Sequence, residues 1–175
     1  MATKKKKKKK LTKIPVINRR LFKLWSEAVR EIAGHKCEYC GINKGDPNKS
    51  GNPTKIDAHH LMNRDVKDCP LKFDIRNGIA LCPSCHKFCP NDAFHTNPIR
   101  TVAWLKENQK EKYDFVTQNY DLKINLSNRT ILAIIEESLR NKQPLDLDLL
   151  TKIDEKYHKD KFQKELANSL AEKYS

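Results

Sequence analysis

The sequence has no long apolar run, few glycines and, over residues 1–20, no acidic side chain. Only five of its 175 residues are glycine, and 33% are charged. No apolar stretch approaches the roughly 18 residues that a membrane-spanning helix needs, so we expect no membrane partner. The N-terminal charges are not followed by an apolar segment, which argues against a secretory signal. These absences favour the cytoplasm, or the nucleus of a eukaryotic cell.

The net charge of +13 is concentrated at the N-terminus. Residues 1–20 hold ten lysines and arginines, whereas residues 101–175 carry thirteen basic and thirteen acidic side chains. Consecutive lysines repel one another and bury nothing, so residues 1–17 are predicted to be a disordered basic arm. A DNA-binding segment, a localisation signal and a solvated tail are three interpretations of this arm. Its consecutive lysines are Lys4, Lys5, Lys6, Lys7, Lys8, Lys9 and Lys10.

The cysteines form two Cys-x-x-Cys pairs, separated by 41 residues. In a reducing compartment this clustering favours metal over disulfides. Two such pairs can supply four thiolates to one tetrahedral zinc ion, and four thiolates close its coordination sphere. The alternative is a set of buried free thiols, which is our interpretation of Cys69 and Cys89. The predicted ligands of a structural Zn²⁺ are Cys37, Cys40, Cys82 and Cys85.

A second group of polar residues lies between and after the cysteine pairs. Adjacent histidines in a strand point to opposite faces, so one can bind a metal while the other addresses a different atom. Any one of these histidines alone suits the surface or the core, but four histidines and an asparagine beside a zinc framework favour a functional site. Asp57 is either a partner of a histidine on its own face or a solvated carboxylate. The candidate site residues are His59, His60, Asn77, His86 and His95.

Before and within the cysteine-rich segment, the sequence predicts one helix and two strands. Residues 18–33 repeat apolar side chains at intervals of three and four, which indicates an amphipathic helix with Asn18 as its N-cap. Short strands are expected at residues 55–60 and 78–81. This helix is expected to pack on the cysteine-rich module.

After the cysteine-rich segment the pattern is helical. Asn97 followed by proline predicts a helix that runs to about residue 108. Further helices are expected at residues 110–119 and 130–140, and a last one is expected to open at a capping box of Thr151 and Asp154. On the first of these helices, the side chains expected to be buried are Val102, Trp104 and Leu105.

The order of these motifs resembles the HNH endonucleases, of which many zinc-stapled examples come from phages. The resemblance covers about residues 35–105 and depends on Cys-x-x-Cys, Asp-x-His-His, Asn-Gly-Ile-x-Leu-Cys-x-x-Cys-His and a later histidine before Asn-Pro. It implies a small α+β fold in which a two-stranded hairpin and a helix hold one divalent ion, the ββα-metal core. The predicted domains are residues 18–108, the nuclease domain with its N-terminal helix, and residues 109–175, a helical extension.

The resemblance also assigns roles to individual residues. It makes His60 the general base and Asn77 the residue that orients it. It makes His59, His86 and His95 ligands of a catalytic Mg²⁺, Mn²⁺, Ni²⁺ or Zn²⁺, since imidazole suits several of these ions. Independently of the resemblance, four basic residues between the halves of the site would face phosphates if their loop borders the cleft, and ordinary surface charge is the alternative for each. They are Arg64, Lys67, Lys72 and Arg76, of which the two arginines are the predicted DNA contacts.

The expected function is metal-dependent hydrolysis of DNA phosphodiester bonds, by nicking or by double-strand cleavage. The resemblance implies products with 5′-phosphate and 3′-hydroxyl ends. The alternative is a zinc-stabilised DNA-binding module without catalysis, which would explain the cysteines and the charge but not the histidines and the asparagine together. An RNA-directed nuclease is a further alternative, because a single-metal site contacts the phosphate more than the sugar.

Overall fold

The computed structural model describes residues 12–173. In this part of the chain the fold is mixed, with a two-stranded antiparallel sheet and five α-helices. The strands are β1 (Asp57–His60) and β2 (Gly78–Leu81). The helices are α1 (Ile14–Ile32), α2 (Pro98–Asn108), α3 (Lys110–Asn119), α4 (Arg129–Arg140) and α5 (Leu147–Lys173). Within the described residues no helix combines the length and apolar character needed to cross a membrane. The small α+β class is confirmed, and most of the predicted arm lies outside the described residues.

Helix α1 starts earlier than the sequence indicated. It begins at Ile14, with a proline in its first turn, so Asn18 lies inside the helix and is not its N-cap. Proline is well suited to this position because its missing N–H would have no partner there. The apolar stripe accordingly extends back to Ile17, which is buried. Residues 14–17 therefore belong to the folded protein and not to the arm, which is a correction.

The two strands pair over their whole length, with Asp57 opposite Leu81 and His60 opposite Gly78. Every residue of β2 is buried, whereas β1 is half-buried. Two short 3₁₀ turns, Pro70–Phe73 and Ile75–Asn77, lead into β2, and a π-helical turn, Ser84–Phe88, follows it. The sheet thus places the histidines of β1 beside the segment that follows β2.

The starts of the later helices follow their capping residues. The side chain of Asn97 accepts a hydrogen bond from the Arg100 amide at 3.1 Å, as the sequence predicted for α2. On this helix Leu105 is buried and Trp104 half-buried, but Val102 is 43% exposed, so its expected burial is wrong. The side chain of Asp146 caps α5 through the Leu149 amide at 2.9 Å.

The predicted capping box at the start of the last helix is wrong. Asp146 already opens α5 one turn earlier, and the Thr151 hydroxyl donates to the Leu147 carbonyl inside the helix at 2.8 Å. Asp154 instead accepts a hydrogen bond from the Asn125 amide at 3.2 Å. A carboxylate at this position therefore joins the loop before α4 to α5.

One apolar cluster runs from α1 through the sheet to α4 and α5. The fully buried side chains of Leu21, Ile79, Ile135 and Leu150 belong to it. Helix α4 packs directly against α1. The core therefore crosses the boundary that the sequence placed between residues 108 and 109.

Candidate functional site

The four predicted cysteine ligands converge. Their sulfur atoms all lie within 4.8 Å of one another. The Cys40 and Cys82 sulfurs are 3.8 Å apart, and four sulfurs at about 2.3 Å from one tetrahedral zinc would be separated by about 3.8 Å. The four cysteines can therefore hold a metal ion such as zinc. Cys69 and Cys89 are not part of this group.

Backbone hydrogen bonds shape the first cysteine pair. The Cys37 amide donates to Ile42 at 2.9 Å, and the Gly41 amide donates back to Cys37 at 2.9 Å. Gly41 has φ +80°, a conformation that glycine adopts without strain. A hydrogen bond from Cys85 lowers the pKa of the Cys37 thiol to about 4. The hydrogen bond from Cys85 thus favours the thiolate form of Cys37, which is the form that binds metal.

Three imidazoles form a second candidate metal site. The Nε2 atom of His86 lies 3.2 Å from Nδ1 of His59 and 3.1 Å from Nε2 of His95. Nitrogens bound at about 2.1 Å to one ion, with angles of about 90–110°, would be about 3.0–3.4 Å apart. The three nitrogens are therefore spaced as ligands of a common ion, and three ligands leave coordination positions open.

Asp57 fixes the tautomer of His86. The carboxylate can only accept, and its Oδ2 atom lies 3.3 Å from Nδ1 of His86, so Nδ1 carries the proton and donates it. In the neutral ring the lone pair of Nε2 then faces the other two histidines. A carboxylate behind a ligating histidine is the usual arrangement at metal sites. Asp57 therefore contacts a histidine of the candidate metal site, but this is His86 and not His59 on its own strand, and the Asp57 side chain remains 49% exposed.

Burial favours the neutral form of two of these imidazoles, His59 and His86. It lowers the pKa of His59 to about 3, assisted by repulsion from His86 and His95. It also lowers the pKa of His86, although the hydrogen bond to Asp57 opposes the effect. Neutral imidazole is the form that binds metal.

His95 reaches the cluster because the chain turns back after the π-helical turn. The Phe94 amide donates to the Cys85 carbonyl at 2.9 Å, and the His95 amide donates to the His86 carbonyl at 3.3 Å. The ring of Phe94 also meets His59 edge to face, with centroids 5.7 Å apart. Residues 89–95 are therefore laid alongside the turn that carries His86.

His60 lies on the other face of β1 and has different partners. Its ring stacks on Trp25 of α1, with centroids 3.6 Å apart and planes inclined by 12°. Its Nε2 atom donates to the Lys72 carbonyl at 3.0 Å. A carbonyl oxygen only accepts, so in the neutral ring Nδ1 holds the free lone pair. Burial lowers the pKa of His60, which favours this neutral form.

Asn77 is fully buried and fastens both ends of the loop between the strands. Its Oδ1 atom accepts from the Met62 amide at 2.7 Å, and its Nδ2 atom donates to the Leu71 carbonyl at 3.1 Å. Its backbone carbonyl accepts from the Leu61 amide at 3.0 Å. Asn77 thus helps to close the loop that begins after His60 and contains Lys72.

The two parts of the site, His60 and the candidate metal site, share one open cleft of about 540 Å³. It is lined by His60 and by the three histidines of the candidate metal site. Two basic side chains, Arg64 and Lys87, complete its walls. The structure therefore places the predicted Arg64 at the cleft, and it adds Lys87, which the sequence did not single out.

Arg76 has a different environment from the one the sequence suggested. Its guanidinium makes two hydrogen bonds to Asp74, at 3.0 and 2.7 Å, and lies over the ring of Phe115 at 3.7 Å. It does not line the cleft that contains the histidines. An arginine with these partners supports the fold, which corrects the prediction that Arg76 contacts phosphate. The sequence shows Asp74 two residues before Arg76, but it does not indicate that the Asp74 carboxylate is buried and binds Arg76.

Trp25 is one of the apolar residues of the stripe predicted for residues 18–33, and the sequence offers no indication that it touches a site residue. Its contact with His60 depends on the tertiary packing of α1 on the sheet.

In comparisons with known proteins, no family model, no curated protein and no solved structure matches this chain. The site must therefore be interpreted from its own geometry.

Proposed function

We propose that the protein is a metal-dependent endonuclease of the HNH type that hydrolyses phosphodiester bonds in DNA. One observation carries the proposal: a histidine excluded from the three-imidazole site, His60, lines the same cleft as that site. A site that only held a metal for structural reasons would not need a separate neutral imidazole beside it. Phosphodiester hydrolysis needs both a base and a cation, so this pairing supports hydrolysis.

The order of the elements also supports the proposal. Two antiparallel strands carry His59 and His60 on the first, and the helical turn directly after the second carries His86. This is the order of parts in a ββα-metal core. Here the helical part is a short π-helical turn, Ser84–Phe88, which metal binding by Cys82 before it and by Cys85 within it would stabilise.

His60 is placed to act as the general base. Its proton on Nε2 is engaged by the Lys72 carbonyl, so Nδ1 is the atom that accepts a proton from the attacking water. The stack on Trp25 prevents rotation of the ring. The resulting imidazolium keeps its hydrogen bond to Lys72, so the ring does not have to move during the reaction.

His59, His86 and His95 would hold the divalent ion, which when bound offsets the negative charge that develops on the phosphate and on the departing oxygen. Asp57 keeps His86 in the ligating tautomer. Arg64 and Lys87 supply positive charge on the cleft walls for the neighbouring phosphates. The expected products carry 5′-phosphate and 3′-hydroxyl ends.

The test is cleavage of supercoiled plasmid by the full-length protein with Mg²⁺, Mn²⁺, Ni²⁺ or Zn²⁺ added separately. We expect nicking by the wild type and its loss in His60→Ala, with DNA affinity changed by no more than a few-fold, because a general base acts only in the transition state. His158→Ala is the matched control, since His158 is on α5 and pairs with Asp154 at 3.7 Å.

Two results would oppose the proposal. Wild-type protein that binds plasmid but cuts it with none of these ions would favour the alternative, a zinc-stabilised DNA-binding module. Equal nicking by wild type and His60→Ala would mean that the base is another residue. Cleavage of RNA in preference to DNA would keep the mechanism and change the substrate.

A further inference from the structure

Asp74 has a fully buried carboxylate that the proposed mechanism does not use. It lies between the two 3₁₀ turns that lead into β2. One oxygen accepts from the Arg76 amide at 2.8 Å and from Nε of Arg76 at 3.0 Å. The other accepts from Nη2 of Arg76 at 2.7 Å and from the Leu145 amide at 3.2 Å. A buried charge persists only with such a full set of partners.

The backbone of the same residue supports the base. The Asp74 carbonyl accepts a hydrogen bond from the indole Nε1 of Trp25 at 2.9 Å and from the Asn77 amide at 3.1 Å. Trp25 stacks on His60, and Asn77 closes the loop that contains Lys72. The two supports of His60 therefore both depend on where the Asp74 carbonyl lies.

The carboxylate side of Asp74 faces the C-terminal helices. Leu145, whose amide it accepts from, lies in the connection between α4 and α5. Arg76 donates to the Leu145 carbonyl at 2.8 Å and lies 3.7 Å from the ring centre of Phe115 on α3. These elements bear no site residues of their own, yet they are bonded to the residue that positions Trp25.

We propose that Asp74 is a positioning residue for His60, and that through it the helices of residues 109–173 form part of the support of the catalytic base. The chain of contacts runs from Leu145 and Arg76 to Asp74, then to Trp25, and then to His60. The role in catalysis rests on the function proposed above. The positional role does not, since it predicts a change in Trp25 that is measurable without substrate.

If the Asp74–Arg76 ion pair had only a structural role, breaking it would lower the stability of the protein. The Trp25 indole resonance and the turnover would stay unchanged. The chain has two tryptophans, so the two indole N–H resonances of the ¹⁵N-labelled protein are easily separated. Trp104→Phe removes one of them and so assigns the other to Trp25. The exchange rate of the Trp25 indole proton then reports the hydrogen bond to Asp74.

The decisive variant is Asp74→Asn in the full-length protein, which preserves shape and removes the charge. We expect the Trp25 indole resonance to shift and its proton to exchange faster. Turnover at saturating plasmid should fall by about 10- to 100-fold with KM nearly unchanged, because a small misplacement of a catalytic group has costs of this size. Arg76→Lys keeps the charge but loses the planar fork, so it should show a smaller effect in the same direction.

Ile135→Val is the control, because it trims a fully buried apolar side chain of α4 that makes none of the network's hydrogen bonds, and it lowers stability. It should leave the Trp25 resonance and the turnover as in wild type. If Asp74→Asn does not fold, Arg76→Lys decides the question alone.

An unchanged Trp25 resonance and exchange rate in the folded Asp74 or Arg76 variant would overturn the proposal. So would an equal loss of turnover in Ile135→Val at matched stability. If the wild type does not cleave DNA, the proposed function fails, and the indole measurement still decides the positional role.

Discussion

The indole of Trp25 lies face to face with the imidazole of His60, with ring centroids 3.6 Å apart. This contact joins the middle of α1 to the end of β1. Together with the hydrogen bond from Nε2 to the Lys72 carbonyl, it fixes both the plane and the rotation of the imidazole ring. The proposed base is thus positioned by rigid elements before substrate binds, which is what efficient proton transfer requires.

Gly78 makes this contact possible. It pairs with His60 across the sheet, and a Cβ atom on it would lie 2.4 Å from Cγ2 of Val29 and 3.0 Å from Cζ2 of Trp25. We therefore expect Gly78→Ala to push α1 away from β2. The free energy of unfolding should fall by about 1–3 kcal/mol, the usual cost of overpacking, and nicking should slow as Trp25 shifts. Urea unfolding and plasmid nicking measure the two effects.

Combining Gly78→Ala with Val29→Ala provides a control, since Val29→Ala removes the methyl group that the new Cβ would meet. The double variant should be more stable than the sum of the two separate losses predicts, because the two sites are in contact. Strictly additive losses would show that the glycine is not required for close packing.

The four-cysteine site should determine whether the module folds. We expect Cys37→Ser or Cys82→Ser to lower the zinc content from about one ion per chain to near zero, and to lower the unfolding temperature sharply. Metal analysis and thermal unfolding are the measurements. Cys89→Ser is the matched control, because Cys89 is half-buried and outside the group of four. Zinc-free protein of unaltered stability would contradict a structural role.

The helices and strands were largely predictable, because their evidence is local. Asn97 before Pro98 marked the start of α2, and the Asn-Gly-Ile segment marked β2. The start of α1 was missed because Lys13, which precedes its first turn, is not a capping residue, whereas Asn18 is one. The cap of α5 was missed because Thr151 is followed three residues later by an acidic residue and Asp146 is not.

The site residues were predictable where they lie at characteristic intervals along the sequence. The four cysteines were found from two short gaps, and the histidines from their order. Trp25 and the Asp74–Arg76 pair were not, because their roles come from contacts between residues 49 and 71 positions apart in the sequence. Arg76 was misassigned for a different reason: Asp74 is only two residues away, but the sequence does not show that its carboxylate is buried.

Asp57 should control the affinity of the three-histidine site. Asp57→Asn replaces an obligatory acceptor with a group that can also donate, so the His86 tautomer is no longer fixed. We expect Mn²⁺ to bind about 10- to 100-fold more weakly, the usual effect of losing a partner behind a ligating histidine. Calorimetric titration of zinc-loaded protein with Mn²⁺ measures this, and raised Mn²⁺ should restore part of the nicking activity.

Asp65→Asn is the control for this titration, because its side chain is 80% exposed and is outside the three-histidine site. His59→Ala and His86→Ala should weaken binding more than Asp57→Asn does, since they remove ligands outright. Equal Mn²⁺ affinity in the wild type and in these alanine variants would place the ion elsewhere.

The basic arm is predicted to act through charge alone. The variant to test lacks residues 1–11, and not 1–17, because Ile14 begins α1, Ile17 is buried, and Arg129 donates to the Thr12 carbonyl at 2.7 Å. A cationic segment binds duplex DNA by releasing condensed counterions, with a slope of about −0.9 in log K against log salt for each phosphate contacted. If roughly five of the lysines Lys4–Lys10 contact phosphates, the deletion should flatten the slope by about 4 units.

A salt titration of DNA binding by the full-length protein and by the variant that lacks residues 1–11 measures this slope. Affinity at low salt should fall by orders of magnitude, whereas cleavage at saturating DNA should persist, because the cleft and its histidines lie wholly within the retained residues. A variant with the order of residues 2–11 shuffled keeps the charge and should bind as the wild type does. An unchanged slope after deletion would show that the arm does not touch DNA, and would leave the localisation signal and the solvated tail as its interpretations.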